Sequence, residues 1–275
     1  MNDIETPPEP LGNVWDVSLP ISEMLKGKRG LVVGIANRRS IAYGCAAKLR
    51  AFGAELALTY FHEKTKAYVA PIAAELDAKL FMPLNLEKHG ELEAVFDRIR
   101  AEWGALDFVV HSVGFAPPAD LHGRVIDCSL EGFTLAMRVS VYSFIEMARL
   151  AEPLMTGGGA LVTMSYYGAD KVVDHYNIMG PVKAALQSTT RYLASELGPK
   201  GIRVHAISPG PLKTRAASGI EHFDELLAKV AERAPSHTLV SVEDVGITTA
   251  VLATGAGRML TGSTTYVDGG YHVMG

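Results

Sequence analysis

Short apolar runs alternate with helical segments along almost the whole chain, and this alternation narrows the possible folds more than any other feature. Leu31-Val32-Val33 ends at Gly34, and six similar runs follow: Glu55 to Tyr60, Leu80 to Leu84, Phe108 to His111, Ala160 to Met164, Arg203 to Ile207 and Thr264 to Val267. Runs this short and this apolar suit strands covered on both faces. Between them lie segments with helical features: Ile41 to Phe52 closed by Gly53, Glu91 to Trp103 closed by Gly104, Leu130 to Leu150 with Pro153 beyond, and Val182 to Leu197. Each parallel crossover needs a helix and is wired right-handed. The expected architecture is therefore one doubly wound α/β domain over residues 28–275, a seven-stranded parallel sheet with helices on both faces. Residues 1–27 are proline-rich and aperiodic, and are expected to form an extended arm. Residues 210–235 form the one long insertion after a strand end, placed to cover a site.

Composition removes several classes of function. A net charge of −4 argues against partners held through phosphate contacts, whether nucleic acid or an anionic membrane. No apolar run approaches the roughly 18 residues of a membrane span. Cys45 and Cys128 are too few for a disulfide framework, so a reducing cytoplasm is expected. The start, Met1 to Pro8, is acidic and proline-rich, unlike a targeting signal. The nine histidines show no ligand spacing, and no metal site is expected.

The first strand runs into Gly34-Ile35-Ala36-Asn37-Arg38-Arg39-Ser40-Ile41-Ala42-Tyr43-Gly44. A glycine at a strand end, then a loop and a helix start, is how a doubly wound sheet receives a pyrophosphate. Ser40 can cap the helix or meet phosphate, and Gly44 permits close packing of the helix on the sheet. The motif departs from the usual glycine fingerprint, with Ala36 in the middle place. The second strand ends in Tyr60-Phe61-His62-Glu63-Lys64, without a carboxylate at its tip. Glu63 can reach a ribose, while Lys64, Arg38 or Arg39 can pair with a 2′-phosphate. NADH is favoured and NADPH stays open.

The stretch Tyr166 to Lys183 carries the chemistry. Tyr176 lies seven residues before Lys183, and Tyr166 ten before Tyr176. A nearby ammonium favours the phenolate and strengthens a phenol as an acid. On a helix, positions seven apart share a face about 10.5 Å apart, although Pro181 works against a helix reaching back to Tyr176. A second pair, Tyr167 and Lys171, has the four-residue spacing suited to carbonyl chemistry. Gly168 interrupts any helix there, whereas Lys183 opens a helical run and precedes Pro209 by 26 residues.

These motifs resemble the short-chain dehydrogenases/reductases, and within them the bacterial enoyl-acyl-carrier-protein reductases. The resemblance spans Leu25 to Gly270 and rests on the Gly34–Gly44 loop, His111-Ser112-Val113-Gly114-Phe115-Ala116-Pro117, Tyr166, Tyr176 with Lys183, the Ser208–Ile220 segment and Val267-Asp268-Gly269-Gly270. It implies a Rossmann domain that reduces the 2,3 double bond of a trans-2-enoyl thioester held on acyl carrier protein. Tyr176, Lys183 and Tyr166 are the implied catalytic residues, with Tyr166 equally readable as a pocket wall. Gly34, Ala36, Ser40, Ile41, Phe61, Asn85, Leu86, Ser112, Val113, Gly114, Lys183, Leu212, Thr214 and Ala216 are the implied cofactor contacts. Ala116, Tyr166, Tyr176 and Met179 are the implied substrate contacts, and a homotetramer the implied assembly. Pro209, Arg215 and Phe61 depart from the family pattern. A ketoreductase of the same fold, or a catalytically weak cofactor-binding protein, remains an alternative.

Overall fold

In a computed structural model of the chain, residues 20–214 and 223–274 are described. β1 (Arg29–Val33) leads through the glycine loop into α1 (Ile41–Ala51), and β2 (Glu55–Tyr60) into α2 (Glu63–Glu75). Then come β3 (Leu80–Pro83), α3 (Glu91–Trp103), β4 (Phe108–His111), the single turn α4 (Pro118–Leu121) and α5 (Leu130–Met137). A π-turn over Arg138–Tyr142 joins α5 to α6 (Ser143–Ala151). The chain continues through β5 (Gly159–Met164), α7 (Met179–Leu197), β6 (Ile202–Pro209), α8 (Phe223–Arg233), α9 (Val242–Ala253) and β7 (Thr264–Val267).

All seven strands are parallel, in the order β3-β2-β1-β4-β5-β6-β7. β1 and β4 pair Val33 with His111, so their carboxyl ends lie side by side. The sheet has a core on each face. One holds Phe96, Phe144 and Met147 against Leu31, Val109 and Leu161; the other holds Ala42, Leu49 and Val245 against Val32, Leu56 and Val162. Phe96, Phe108 and Phe144 are fully buried, and each withdraws apolar surface worth about 2–3 kcal/mol.

Three expectations change. The expected arm over residues 1–27 ends in packed structure: Ile21–Glu23 form a 3-10 turn, Leu25 is buried, and the Leu25 amide donates to Phe52 O at 2.7 Å. The folded body therefore begins before residue 28, while residues 1–19 lie outside the described residues. The long helix expected over Leu130 to Leu150 carries the π-turn, which shifts the phase of the helix and turns Ser140 and Ser143 inward. Gly44 makes room for a helix and not for the sheet, since a Cβ there would lie 2.1 Å from Val242 O of α9.

Candidate active site

The chain winds outward from β1 to β3 and then returns to add β4 on the other side of β1. The carboxyl ends of β1 and β4 thus flank the switch point at which doubly wound sheets take their ligands. Gly34 leaves β1 with φ 110°, and a Cβ on it would sit 2.0 Å from Ser112 O, so only glycine lets the two strand ends approach. Ser112 completes the crossing by donating its amide to Val33 O at 3.1 Å. The Ser40 hydroxyl accepts from the amides of Ala36 and Asn37 at 3.0 and 3.1 Å, which fixes the loop. It makes no bond to the helix it precedes, so the first amides of α1, beginning with Ile41, stay available to an anion.

Further along the carboxyl edge, Phe61 follows β2 and is exposed, while Asn85 and Leu86 follow β3 and are half-buried. The Asn85 carbonyl oxygen accepts from Glu87 N at 2.9 Å, which holds its turn. Two charges considered for the ribose end are engaged elsewhere. Arg38 pairs with Glu75, and Glu63 with Lys66 at 3.4 Å.

Lys183 is buried in the first turns of α7 and donates to Met164 O, at the end of β5, at 2.6 Å. Burial lowers its pKa from 10.5 to about 8. A Cβ on Gly114 would lie 3.4 Å from Lys183 Nζ and 3.8 Å from the Met179 methyl, which places the loop after β4 directly over the lysine. Val113 and Ala116, from the same loop, pack into the core beside it. Leu212 packs into the opposite core after β6, and the Thr214 amide donates to Leu212 O at 2.7 Å. Ala216 lies outside the described residues.

Tyr176 is not on the helix that carries Lys183. α7 begins at Met179, so the shared-face geometry expected over seven residues does not apply. Pro181 is the third residue of α7, where its missing N–H costs no helical bond, and Gly180 before it has no Cβ to clash. The Tyr166 and Tyr176 rings meet at 4.8 Å between centroids, tilted by 60°. A Cβ on Gly168 would come within 2.5 Å of the Tyr176 ring, so Gly168 is the floor on which that ring lies. Burial and, second, the neighbouring Tyr166 push the Tyr176 phenol well above its ordinary range. Burial, and not the charge of Lys183, sets the direction of this shift. Burial likewise raises Tyr166. Of the competing pair, Lys171 is exposed, and Tyr167 packs edge-on against Tyr271 at 5.5 Å.

Several site features carried no reading from sequence. His111 is buried at the end of β4, its ring nitrogens 2.8 Å from the Thr163 hydroxyl and 2.9 Å from that of Ser143. Burial, and then the charge of Lys183, lower its pKa to about 3, so the ring is neutral. Ser208, at the end of β6, has a buried hydroxyl without a protein partner. Ser143 follows the α5–α6 π-turn, which has no sequence signature.

A model of the enoyl-(acyl carrier protein) reductase family matches residues 34–272. The NADH-dependent enoyl-[acyl-carrier-protein] reductase 1 of Rhizobium meliloti strain 1021 is 44% identical over 254 residues, which is 92% of this chain and 93% of that protein. The chain belongs to the enoyl-acyl-carrier-protein reductase family. The NADH enzyme of Aquifex aeolicus is 45% identical across 92% of this chain and 94% of its own. Among solved members of the family, the reductase of Anaplasma phagocytophilum in complex with NAD superposes with a TM-score of 0.89 at 45% identity, covering 92% and 97% of the two chains. The Bacillus cereus enoyl-acyl-carrier-protein reductase, with NADP+ and an indole naphthyridinone, gives 0.90 at 41% identity over 92% and 99%.

The relatives from Rhizobium meliloti and Aquifex aeolicus are named as NADH enzymes, and the crevice here fits a dinucleotide. Gly34 lets the two strand ends close up at the crevice, the first α1 amides have no side-chain cap, and Ser208 offers an orphan hydroxyl at the same edge of the sheet. Lys183 gives one hydrogen to Met164 O and has two more to donate.

Proposed function

We propose that the chain reduces the C2–C3 double bond of trans-2-enoyl thioesters carried on acyl carrier protein, with NADH as reductant. The observation that carries this reading is the pair of tyrosine rings in contact on the join that leads into α7, whose buried Lys183 lies against the loop after β4. NADH, when bound, supplies the hydride for the β-carbon. Negative charge then develops on the thioester oxygen, and the Tyr176 hydroxyl donates a hydrogen bond to it. A buried phenol kept protonated by its surroundings suits that role, because a preorganised neutral donor stabilises an oxyanion without first giving up its proton. A proton returns to the α-carbon to finish the reduction. Lys183 holds the ribose and adds positive charge near the developing enolate. Tyr166 closes the wall behind Tyr176 and offers a second hydroxyl, while Ala116 and Met179 bound the acyl path.

Two further readings belong with this one. The thiols of Cys45 and Cys128 are unpaired, and no helix among the described residues is long and apolar enough to cross a membrane. Both features suit work in the cytoplasm. The outward face of α6 and α7, with Ile145 and Tyr192 exposed beside Tyr142 of the π-turn, suits self-association into a homotetramer.

The deciding experiment runs a crotonyl thioester and a 3-ketoacyl thioester in parallel, each with NADH and with NADPH. The enoyl substrate with NADH is expected to turn over fastest. Tyr176→Phe and Lys183→Ala are each expected to lose about 10²–10³ in kcat. Full activity in both variants, or preference for the ketoacyl substrate, would overturn the assignment.

A further inference from the structure

Tyr176 stands between two residues in the left-handed region, His175 with φ 62° and Asn177 with φ 42°. Such backbone is uncommon outside glycine, and it is kept where surrounding contacts hold it. At Asn177 the contact is explicit. Its side-chain amide donates to Leu121 O at 2.6 Å. Leu121 is the last residue of α4, where a helical carbonyl has no partner in its own helix. α4 in turn carries Asp120, which is buried and accepts from Ser129 N at 2.6 Å, the residue that caps α5. Asn177 therefore ties the turn bearing Tyr176 to the segment that runs on from Ala116, across 56 residues of sequence. On its other side, Asn177 O accepts from Gly180 N at 3.0 Å, which leads the chain into α7 and on to Lys183.

We infer that Asn177 is a positioning residue for the reaction: its amide, anchored on Leu121 O, holds the Tyr176 hydroxyl at the height the thioester oxygen requires. The inference rests on Tyr176 being the donor proposed above. The anchor joins the donor to the opposite wall of the acyl path, so the two keep a fixed separation while substrate enters. Neither Asn177 nor Leu121 is among the residues assigned above to the cofactor.

Asn177→Gly keeps the left-handed backbone available and removes only the anchor, and Asn177→Asp keeps the shape but replaces the donor with an acceptor. Each is expected to lower kcat on a crotonyl thioester by about 10- to 100-fold, the scale of a displacement near 1 Å. NADH affinity, read by fluorescence titration, is expected to stay within about twofold. Combined with Tyr176→Phe, either change should add no further loss, since it acts through the hydroxyl already removed. Additive losses, an unchanged kcat, or a parallel fall in NADH affinity overturns the inference. If Tyr176→Phe is slow while both Asn177 variants are fully active, only the positioning role falls. If Tyr176→Phe is itself fully active, the proposed donor falls and the positioning role with it.

Discussion

The most consequential side chain is a lysine whose charge is expensive where it lies. Lys183 is buried, and its pKa falls from 10.5 to about 8 because burial disfavours the ammonium. The sign of the consequence follows from linkage. Between pH 8 and 10.5 the unfolded chain holds the proton and the folded one has lost it, so folding stability rises with pH across that window. Below about pH 8 the full penalty applies, on the order of 3 kcal/mol at roughly 1.4 kcal/mol per unit. Lys183→Met removes that penalty but strands Met164 O, which costs about 1–2 kcal/mol. The variant is expected to be inactive and yet roughly 1–2 kcal/mol more stable than the parent in urea at pH 7, with the gain vanishing by about pH 10.5. The same titration should appear in activity. In the parent, kcat/KM should fall as pH rises through about 8, where the free enzyme loses its cation. A flat profile to pH 9.5, or a Lys183→Met protein less stable than the parent, would refute the account.

At the scale of elements, the decisive join is the one between β5 and α7. It must present Tyr166 and Tyr176 to each other and deliver Lys183 against Met164 O within 19 residues. Gly168 makes this possible by leaving the Tyr176 ring unobstructed, and its φ is not positive, so space and not backbone freedom is at stake. Gly168→Ala would press a methyl to 2.5 Å from the ring. We expect a kcat loss of about 10²-fold from the displaced ring and about 1–3 kcal/mol of destabilisation from overpacking. Near-normal kcat would show that the ring can shift without consequence. This join also marks where the sequence stopped being legible. β2, α3, β4 and β7 were readable to the residue, because apolar runs and closing glycines mark buried strands and helix ends directly. α2 was not, since Pro71 in its interior reads as a breaker, and α9 follows a long insertion with few local signals. Tyr176 and Lys183 could be singled out from spacing and resemblance. The turn that separates them could not be, because its left-handed residue Asn177 is held by a contact 56 residues away. His111 was invisible as a site residue for the same reason, as its partners come from β5 and from beyond a π-turn.

At the scale of the whole molecule, α7 has two faces with different tasks. Val182, Lys183, Leu186 and Gln187 point into the domain. Ser188, Thr189 and Tyr192 lie on its other side and line a groove with Ala185 and with Ile145 of α6. Small residues flanking one large aromatic let a second helix pair approach closely, and Tyr192 is 71% exposed in the single chain. A two-fold contact between copies would bury each side chain twice, so a change at its centre counts twice. An aromatic anchor is worth about 2 kcal/mol, and the doubled loss of about 4 kcal/mol weakens association by roughly a thousandfold. Tyr192→Asp combined with Ile145→Asp is therefore expected to convert an oligomeric parent to a smaller species by sedimentation at micromolar concentration. A parent that sediments as a monomer, or a variant that keeps the parent's mass, would refute the proposed assembly face. Activity should fall along with mass, because the helix bared in this way is the one that positions Lys183. Its outer stripe, left without a partner, would allow the first turns of α7 to shift relative to β5 and stretch the 2.6 Å bond from Lys183 to Met164 O. Assembly and catalysis would then share one helix, with the groove side supplying the rigidity that the lysine side uses.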